Sequence, residues 1–397
     1  MKFEEFLDRL AKEYPQAAAA HDFSRLVIPT LVAPVALKLP RELWREAERI
    51  VSFAFRRLRN LQAERRRALS PPVEDPGHAS VLMSYDFHLD AQGRLRLIEV
   101  NTNASMSLLG DVMLCQRHID RCHRDDFMRD FASELGRPLH GARVLIVDDD
   151  PASQKLYAEF LLYQEAFRAE GADCEIADRR ELEFRDGKLW LRREGRTDFG
   201  PADLVYNRLT DFYFVEPESA ALASACRVRS CVITPHPHEY RLLADKDRLV
   251  DWSQPEFAAL LAADERALLQ SFLLRTREAS SLSPEELWAE RKQLIFKPRR
   301  AFGGKSVYRG ASISRGAFQN LLAQDVLVQD FVAAPTVQID GAEFKFDLRF
   351  FAYRDELRLA VARLYQGQMT NATTPGGGIT SIEWVDDLSR VAVQTRD

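Results

Sequence analysis

The sequence has no stretch approaching the roughly 18 uninterrupted apolar residues that a membrane-spanning helix needs. Its longest candidate, 26–39, is broken by Pro29, Thr30, Pro34 and Lys38. Cysteine is scarce, with five residues scattered at 115, 122, 174, 226 and 231. An odd, dispersed set does not read as a disulfide framework and points to a reducing compartment. Glycine and proline number 18 each in 397 residues, too few for a fibrous or low-complexity chain. An excess of one charge is lacking too. Fifty-five basic against 60 acidic side chains leave −5, which excludes a basic nucleic-acid coat and an acidic disordered tail. The opening MKFEEFLDRL is acidic and amphipathic, unlike a secretory apolar region. A soluble cytoplasmic protein is expected, with no nucleic-acid or membrane partner.

What is present is ordinary globular usage, 46% hydrophobic and 29% charged, over a length that calls for two or three domains. Phe3, Phe6, Leu7 and Leu10 recur at helical spacing. A longer helix is expected over 42–69. It carries Arg56, Arg57, Arg59, Arg65, Arg66 and Arg67, read as a solvated face offset by Glu46, Glu48 and Glu64. Pro71, Pro72, Pro76 and Gly77 mark a loop. The apolar runs 81–89 and 95–100, joined by Asp90-Ala-Gln-Gly93, predict a β-hairpin, and 106–135 is helical in pattern. From 143 onward, strands at 143–147, 174–177, 204–207 and 231–234 alternate with helical segments such as 153–170, predicting a small, mostly parallel α/β unit. The last 150 residues are richer in strands: 293–297, 326–332, 346–353, 357–364 and 382–385.

Three motifs suggest chemistry that their neighbours contradict. Val144-Leu-Ile-Val-Asp-Asp-Asp150 looks like the start of a phosphate-accepting receiver domain. The acceptor position at the end of the next core strand is Asn207, which cannot form an acyl phosphate. Gly304-Lys305-Ser306 resembles the end of a P-loop, but the position five before Gly304 is Arg299 instead of Gly. Cys115, His118, Cys122 and His123 have zinc-ligand chemistry, yet four ligands on one continuous helix do not easily close a tetrahedron.

A more consistent set lies elsewhere. Lys297 ends the apolar strand Leu294-Ile-Phe-Lys-Pro298, and eight residues on Lys305 sits in a Gly-rich loop with Gly303 and Gly304. A strand-borne lysine fixes a cation, and such a loop can close its backbone N–H groups over phosphate oxygens. The strand 326–332, broken by Gln329 and Asp330, can offer backbone groups to an adenine edge and a carboxylate to ribose. Asp347 and Arg349 share one strand face by period two, and Arg363 belongs to the neighbouring strand. Two such arginines can hold a phosphoryl group or a developing oxyanion, or form a cross-strand ion pair. Mg²⁺ needs hard oxygen ligands, and these appear early in the chain. Asp86 lies on the first hairpin strand, and Glu99 and Asn101 share a face at the end of the second.

Together, Asp86 with Glu99-Val-Asn101, Lys297, the Gly-rich loop, Gln329-Asp330 and Asp347-Leu-Arg349 resemble the parts of the ATP-grasp superfamily. Glu-x-Asn, ordinarily last, comes first here. This is similar to the circularly permuted members, notably the glutathionylspermidine synthase-like and glutathione synthetase-like ligases. IEVNTNASMSLLG, LVYNRLTDFY, ITPHP, ADKDRLV and FKPRRAFGGKSVY all read like that group, over roughly 80–380. The resemblance implies an α/β (α+β) chain with an ATP-grasp fold of permuted motif order plus a small doubly wound α/β domain. Residues 1–135 would be a helical region whose metal-binding hairpin completes the core, 136–240 the pre-ATP-grasp domain, and 241–397 the nucleotide-binding domain.

The resemblance also implies ATP and Mg²⁺ as cofactors, and a small-molecule or peptide carboxylate joined to an amine through an acyl phosphate. Asp86, Glu99 and Asn101 would carry the metal. Lys246, Lys297 and Lys305 would stand by the phosphates, with Gly303 and Gly304. Gln329 and Val332 would face adenine, and Asp330 and Asp347 would complete the nucleotide site. Arg349 and Arg363 would act on the transferring phosphoryl. Tyr206, Asn207 and Arg208 would receive the carboxylate. Ser84 stands where glutathionylspermidine synthases carry an arginine, so a different substrate is implied. The alternative is a non-catalytic relative that binds nucleotide or a protein partner.

Overall fold

In the computed structural model, residues 3–65, 73–114, 123–193, 199–299, 307–371 and 373–386 are described. The largest sheet has seven strands. Its order is Val32–Pro40, Gly378–Val385, Glu356–Tyr365, Ala342–Tyr353, Met83–Leu89 and Leu95–Asn101, with Thr336–Ile339 also paired to Ala342–Tyr353. Every pair is antiparallel except Val32–Pro40 with Gly378–Val385. The N-terminal hairpin thus pairs directly with a strand some 250 residues later in the chain.

Period-two alternation divides this sheet into two faces. Phe346, Leu348, Phe350, Ala360 and Ala362 pack against Leu43, Ala47, Ile50 and Val51 of the Arg41–Phe53 helix. On the other face Phe351, Tyr353, Leu359 and Val361 meet Leu108, Leu109 and Val112 of the Ser107–Leu114 helix. Gly110 permits that contact, because a Cβ there would lie 2.6 Å from Val361 Cγ1. The polar residues of the site occupy the remainder of this second face.

A four-stranded antiparallel sheet follows the order Thr276–Glu278, Val326–Asp330, Leu294–Pro298, Tyr308–Arg309. Its core is Phe296, Phe318, Leu321, Val326 and Val328. A four-stranded parallel sheet runs Asp173–Asp178, Arg143–Asp148, Leu204–Asn207, Val232–Thr234. Val144 and Ile146 pack toward the Tyr157–Ala169 helix side, while Leu145 and Val147 pack toward Leu222 and Ala225, so the unit is covered on both faces. Leu182–Arg185 and Lys188–Leu191 form the hairpin around Asp186-Gly187.

The sequence reading differs in three places. The 26–39 run contains an edge strand, Val32–Pro40. The expected 42–69 helix is divided into Arg41–Phe53, a widened turn at Ala54–Leu58, and Arg59–Arg65. Its arginines are paired across the fold instead of along the helix. Arg56 bonds Asp355, Arg57 bonds Glu265, and Arg59 bonds Glu239 at 2.8 Å. The Cys115, His118 and Cys122 positions, with Arg66 and Arg67, lie outside the described residues, and His123 hydrogen-bonds Asp111 at 2.9 Å. No helix among the described residues is long and apolar enough to cross a membrane.

Candidate functional site

Strand register assembles the first part of the site. Asp86 pairs with Glu99 on one side and with Arg349 on the other, and Asp347 pairs with Arg363. Directly opposed residues of an antiparallel pair share a face, so these five side chains converge. Asp86 is 1% exposed. Arg349 grips it through Nε to Oδ1 at 2.8 Å and Nη2 to Oδ2 at 2.7 Å. Arg363 Nη2 donates to Oδ2 at 2.9 Å, and Asn101 Nδ2 at 3.3 Å. Burial pushes the Asp86 pKa up, but the Arg349 and Arg363 charges outweigh it and hold it down to about 2. Arg363 Nε also reaches Asp347 at 2.6 Å, and Thr370 Oγ1 donates to Asp347 at 2.5 Å.

Glu99 differs from Asp86. Its carboxylate has no hydrogen-bond or ion-pair partner among the described residues, and it acts electrostatically on Lys246, Lys297 and Arg363. Asp86, Glu99 and the Asn101 amide supply hard oxygens at one strand end, a donor set that fits Mg²⁺. Asp86 is held by both guanidinium groups and Asn101 through its Nδ2, whereas the Glu99 carboxylate is unengaged among the described residues.

The antiparallel four-stranded sheet supplies the opposite wall. Lys297 Nζ donates to the Ile98 carbonyl at 3.0 Å and to Gln329 Oε1 at 2.7 Å, and Gln329 Nε2 approaches the same Ile98 carbonyl at 3.4 Å. The late lysine strand thus touches the early hairpin beside Glu99. Burial lowers the Lys297 pKa to about 8, against the opposing pull of Glu99. Lys246 Nζ lies 3.5 Å from the Pro298 carbonyl, and burial lowers its pKa too. The Val332 carbonyl accepts from His88 at 3.2 Å. Asp330 lies 3.7 Å from Arg275 and is 40% exposed at its side chain. Gly303, Gly304 and Lys305 lie outside the described residues.

The side chains at 206–208 are engaged within the protein. Tyr206 is fully buried among Phe131 and Tyr163. Asn207 spans Pro235 O and Leu209 N. Arg208, 6% exposed, donates to Ala104 O at 3.0 Å, Ser105 Oγ at 2.5 Å and Tyr206 Oη at 3.1 Å. Arg208 braces the 102–106 loop, while Asn207 ties the backbones of Pro235 and Leu209. That loop joins the two regions, since the Ser105 carbonyl accepts from Arg349 Nη1 at 3.4 Å. It is held from below by Glu159, which accepts from Met106 N at 2.7 Å, Leu108 N at 3.0 Å and Ser107 Oγ at 3.3 Å. The sequence reading passed over Ser105 and Glu159. Ser105 lies inside the quoted NASMSLLG motif. Glu159 was legible only as a lone acid among apolar helix positions.

No family model matches the chain, and no curated protein matches it. Among solved structures the chain is similar to a putative gamma-glutamylcysteine synthetase from Methylobacillus flagellatus KT. The match has 10% identity, covers 88% of this chain and 89% of that one, and has a TM-score of 0.50. It is similar also to a glutathione synthetase-like effector from Globodera pallida in its apo form, at 11% identity over 97% and 98% of the two chains, TM-score 0.49. A third is the ATP-grasp ligase PsnB, complexed in that structure with a phosphomimetic variant of its minimal precursor, Mg and ADP. It matches at 14% identity over 59% and 86%, TM-score 0.32. At such identities the likeness is one of architecture. The chain shares its overall fold with the putative gamma-glutamylcysteine synthetase.

Proposed function

We propose that this chain is a Mg²⁺- and ATP-dependent carboxylate–amine ligase of the permuted, glutathionylspermidine synthase-like kind. The reading assigns it three regions, 1–135, 136–240 and 241–397, with the nucleotide taken between the large sheet and the Lys297 sheet. The observation that carries the proposal is the 3.0 Å contact of Lys297 with the Ile98 carbonyl, which brings a buried cation to an unpaired Glu99. Glu99, Asn101 and Asp86 would hold Mg²⁺, which when bound supplies charge neutralisation at phosphate oxygens. Lys297 and Lys246 would neutralise phosphate charge. Gln329, Asp330 and Val332 would border the base and sugar, with Gly303, Gly304 and Lys305 over the phosphates. Arg349 and Arg363 would stabilise charge on the transferring phosphoryl and on the oxyanion formed when the amine attacks. Asp347 would orient Arg363. The substrates would be a small or peptide carboxylate and an amine.

Glu99→Ala should abolish Mg·ATP-dependent phosphate release while leaving the circular dichroism spectrum and melting temperature in place. Phosphate release at the wild-type rate in that variant refutes the metal assignment. A non-catalytic nucleotide binder is the second reading. It is favoured by one feature, the engagement of both Asp86 oxygens by guanidinium groups. Nucleotide binding without ADP formation across a panel of amino acids, short peptides and polyamines would decide for it.

A further inference from the structure

The four-stranded antiparallel sheet carries one row of side chains across its inner face. Thr276 pairs with Gln329, Gln329 with Ile295, and Ile295 with Arg309. Directly opposed residues of an antiparallel ladder share a face, and Lys297 joins them two residues on from Ile295. That face is turned to the acidic hairpin, since Lys297 and Gln329 both reach the Ile98 carbonyl. Phe331 continues the alternation from Gln329, with its N–H on the Gln293 carbonyl at 2.8 Å. Val332, the next residue, accepts from His88 of the large sheet.

Two observations mark the outer end of this row. The first concerns a cation. Arg309 Cζ stands 4.4 Å from the centre of the Phe331 ring. Its guanidinium makes no hydrogen bond or ion pair among the described residues, and its Nε is buried. Buried polar side-chain atoms without a partner are uncommon in folded proteins. The second concerns apolar surface. Ile295 and Phe331 are half-buried and belong to none of the hydrophobic cores among the described residues, whereas Phe296 and Val328, on the opposite face, do. Trp288 gives the contrast on that opposite side. Arg291 and Arg315 stand over it at 3.8 and 4.5 Å, but it packs on Phe318 and joins the core. An apolar strip edged by a stacked guanidinium suits a flat heteroaromatic ring. The strip takes the ring's face, and the cation meets its π system.

We propose that Arg309, backed by Phe331, is the platform on which the purine base of the nucleotide stacks, over Ile295. The proposal rests on the reading that a nucleotide lies between the two sheets. It makes Arg309 a base-binding residue, set at the end of the row away from the Lys297 charge.

The test uses the full chain with Mg²⁺. ADP is titrated by calorimetry, and adenosine, which carries the base without phosphate, by saturation-transfer NMR. Arg309→Lys keeps the charge and gives up the plane. Phe331→Leu removes the ring behind the guanidinium. Arg315→Lys makes the same exchange over Trp288 and controls for loosening of the sheet. The proposal expects Arg309→Lys to weaken ADP and adenosine by the same factor, at least fivefold. Phe331→Leu should weaken both, and Arg315→Lys should leave both unchanged. It is overturned if Arg309→Lys or Phe331→Leu binds both as wild type does. It is overturned equally if the loss in Arg309→Lys is confined to ADP, which would make the arginine a phosphate contact, or if Arg315→Lys loses as much. A wild type that binds no ADP refutes the nucleotide site itself, whereas wild-type binding retained in the variants overturns the platform alone.

Discussion

Glu159 offers a sharp quantitative test of how the site is held. It is 1% exposed, sits on the Tyr157–Ala169 helix of the α/β unit, and carries its carboxylate to the start of the Ser107–Leu114 helix. Oε2 accepts Met106 N, while Oε1 accepts Leu108 N and Ser107 Oγ. A carboxylate at a helix N-terminus satisfies donors that have no intrahelical partner and complements the helix dipole. Glu159→Gln keeps Oε1 but presents an NH₂ to the Met106 N–H, a donor facing a donor, which should cost about 1–3 kcal/mol. Glu159→Ala leaves both backbone N–H groups buried and unsatisfied, at about 1–3 kcal/mol each, so about 4 kcal/mol in total. With 1.4 kcal/mol per tenfold, amide exchange at Met106 and Leu108 should accelerate about tenfold to a hundredfold in the Gln variant and about a thousandfold in the Ala variant. Hydrogen-exchange mass spectrometry of the 102–110 peptide reads this locally, without assuming that the chain unfolds in one step. The same variants should lower ADP formation, because the loop they loosen positions Ser105 under Arg349. Exchange at wild-type rates in Glu159→Ala would refute the assignment of Glu159 as the brace of this loop.

Two further perturbations separate buried from exposed electrostatics. Arg59→Ala strands Glu239, whose side chain is 1% exposed, and should destabilise the fold by about 3–5 kcal/mol, whereas Arg56→Ala removes a pair whose arginine is 71% exposed and should fall within about 1 kcal/mol. Equal urea midpoints for the two variants would contradict that ranking. Burial lowers the His78 pKa, but Glu134 at 2.7 Å outweighs it and leaves the imidazole above its usual 6.5. The protonated pair therefore stabilises the fold below about pH 6.5 and that contribution is lost as pH rises through the raised value. His78→Asn should flatten this part of the melting-temperature profile, and an unchanged slope would remove the pair from the account.

Much of the site was legible because alternation and register are local rules. Asp347 and Arg349 two residues apart, and Glu99 and Asn101 two apart, must share faces once they lie in strands, and a hairpin closed by Gly93 brings Asp86 opposite Glu99. Asp347 and Arg363 form a cross-strand ion pair, the alternative the sequence offered for the arginines beside phosphoryl binding. The surroundings of Tyr206, Asn207 and Arg208 were not legible, because the sequence shows a polar strand end without showing what packs over it. Here the 102–106 loop takes up the donors of Arg208, and the Pro235 carbonyl that of Asn207. Val32–Pro40 was missed since its two prolines weaken a strand pattern. An edge strand tolerates them, having one side without a ladder to complete. The arginine pairs of the 41–65 region could not be placed at all, because Asp355, Glu265 and Glu239 are 299, 208 and 180 residues away in the chain.

The order of motifs along the chain matters less than which strand edges meet. Ala342–Tyr353 takes Glu356–Tyr365 on one edge and Met83–Leu89 on the other. Neither pairing depends on whether the hairpin is made before or after its partner, since backbone hydrogen bonds and side-chain alternation carry no memory of sequence separation. What an early hairpin changes is the closure it demands. Contacts across more than 250 residues bring an entropic penalty that grows only as the logarithm of loop length, so each doubling of the loop adds about 0.6 kcal/mol. A single charge-assisted grip such as Arg349 on buried Asp86, of about 1.5–3 kcal/mol, exceeds several such doublings. The acidic hairpin can therefore come early in the chain and still close on the late lysine strand, with Lys297 reaching the Ile98 carbonyl.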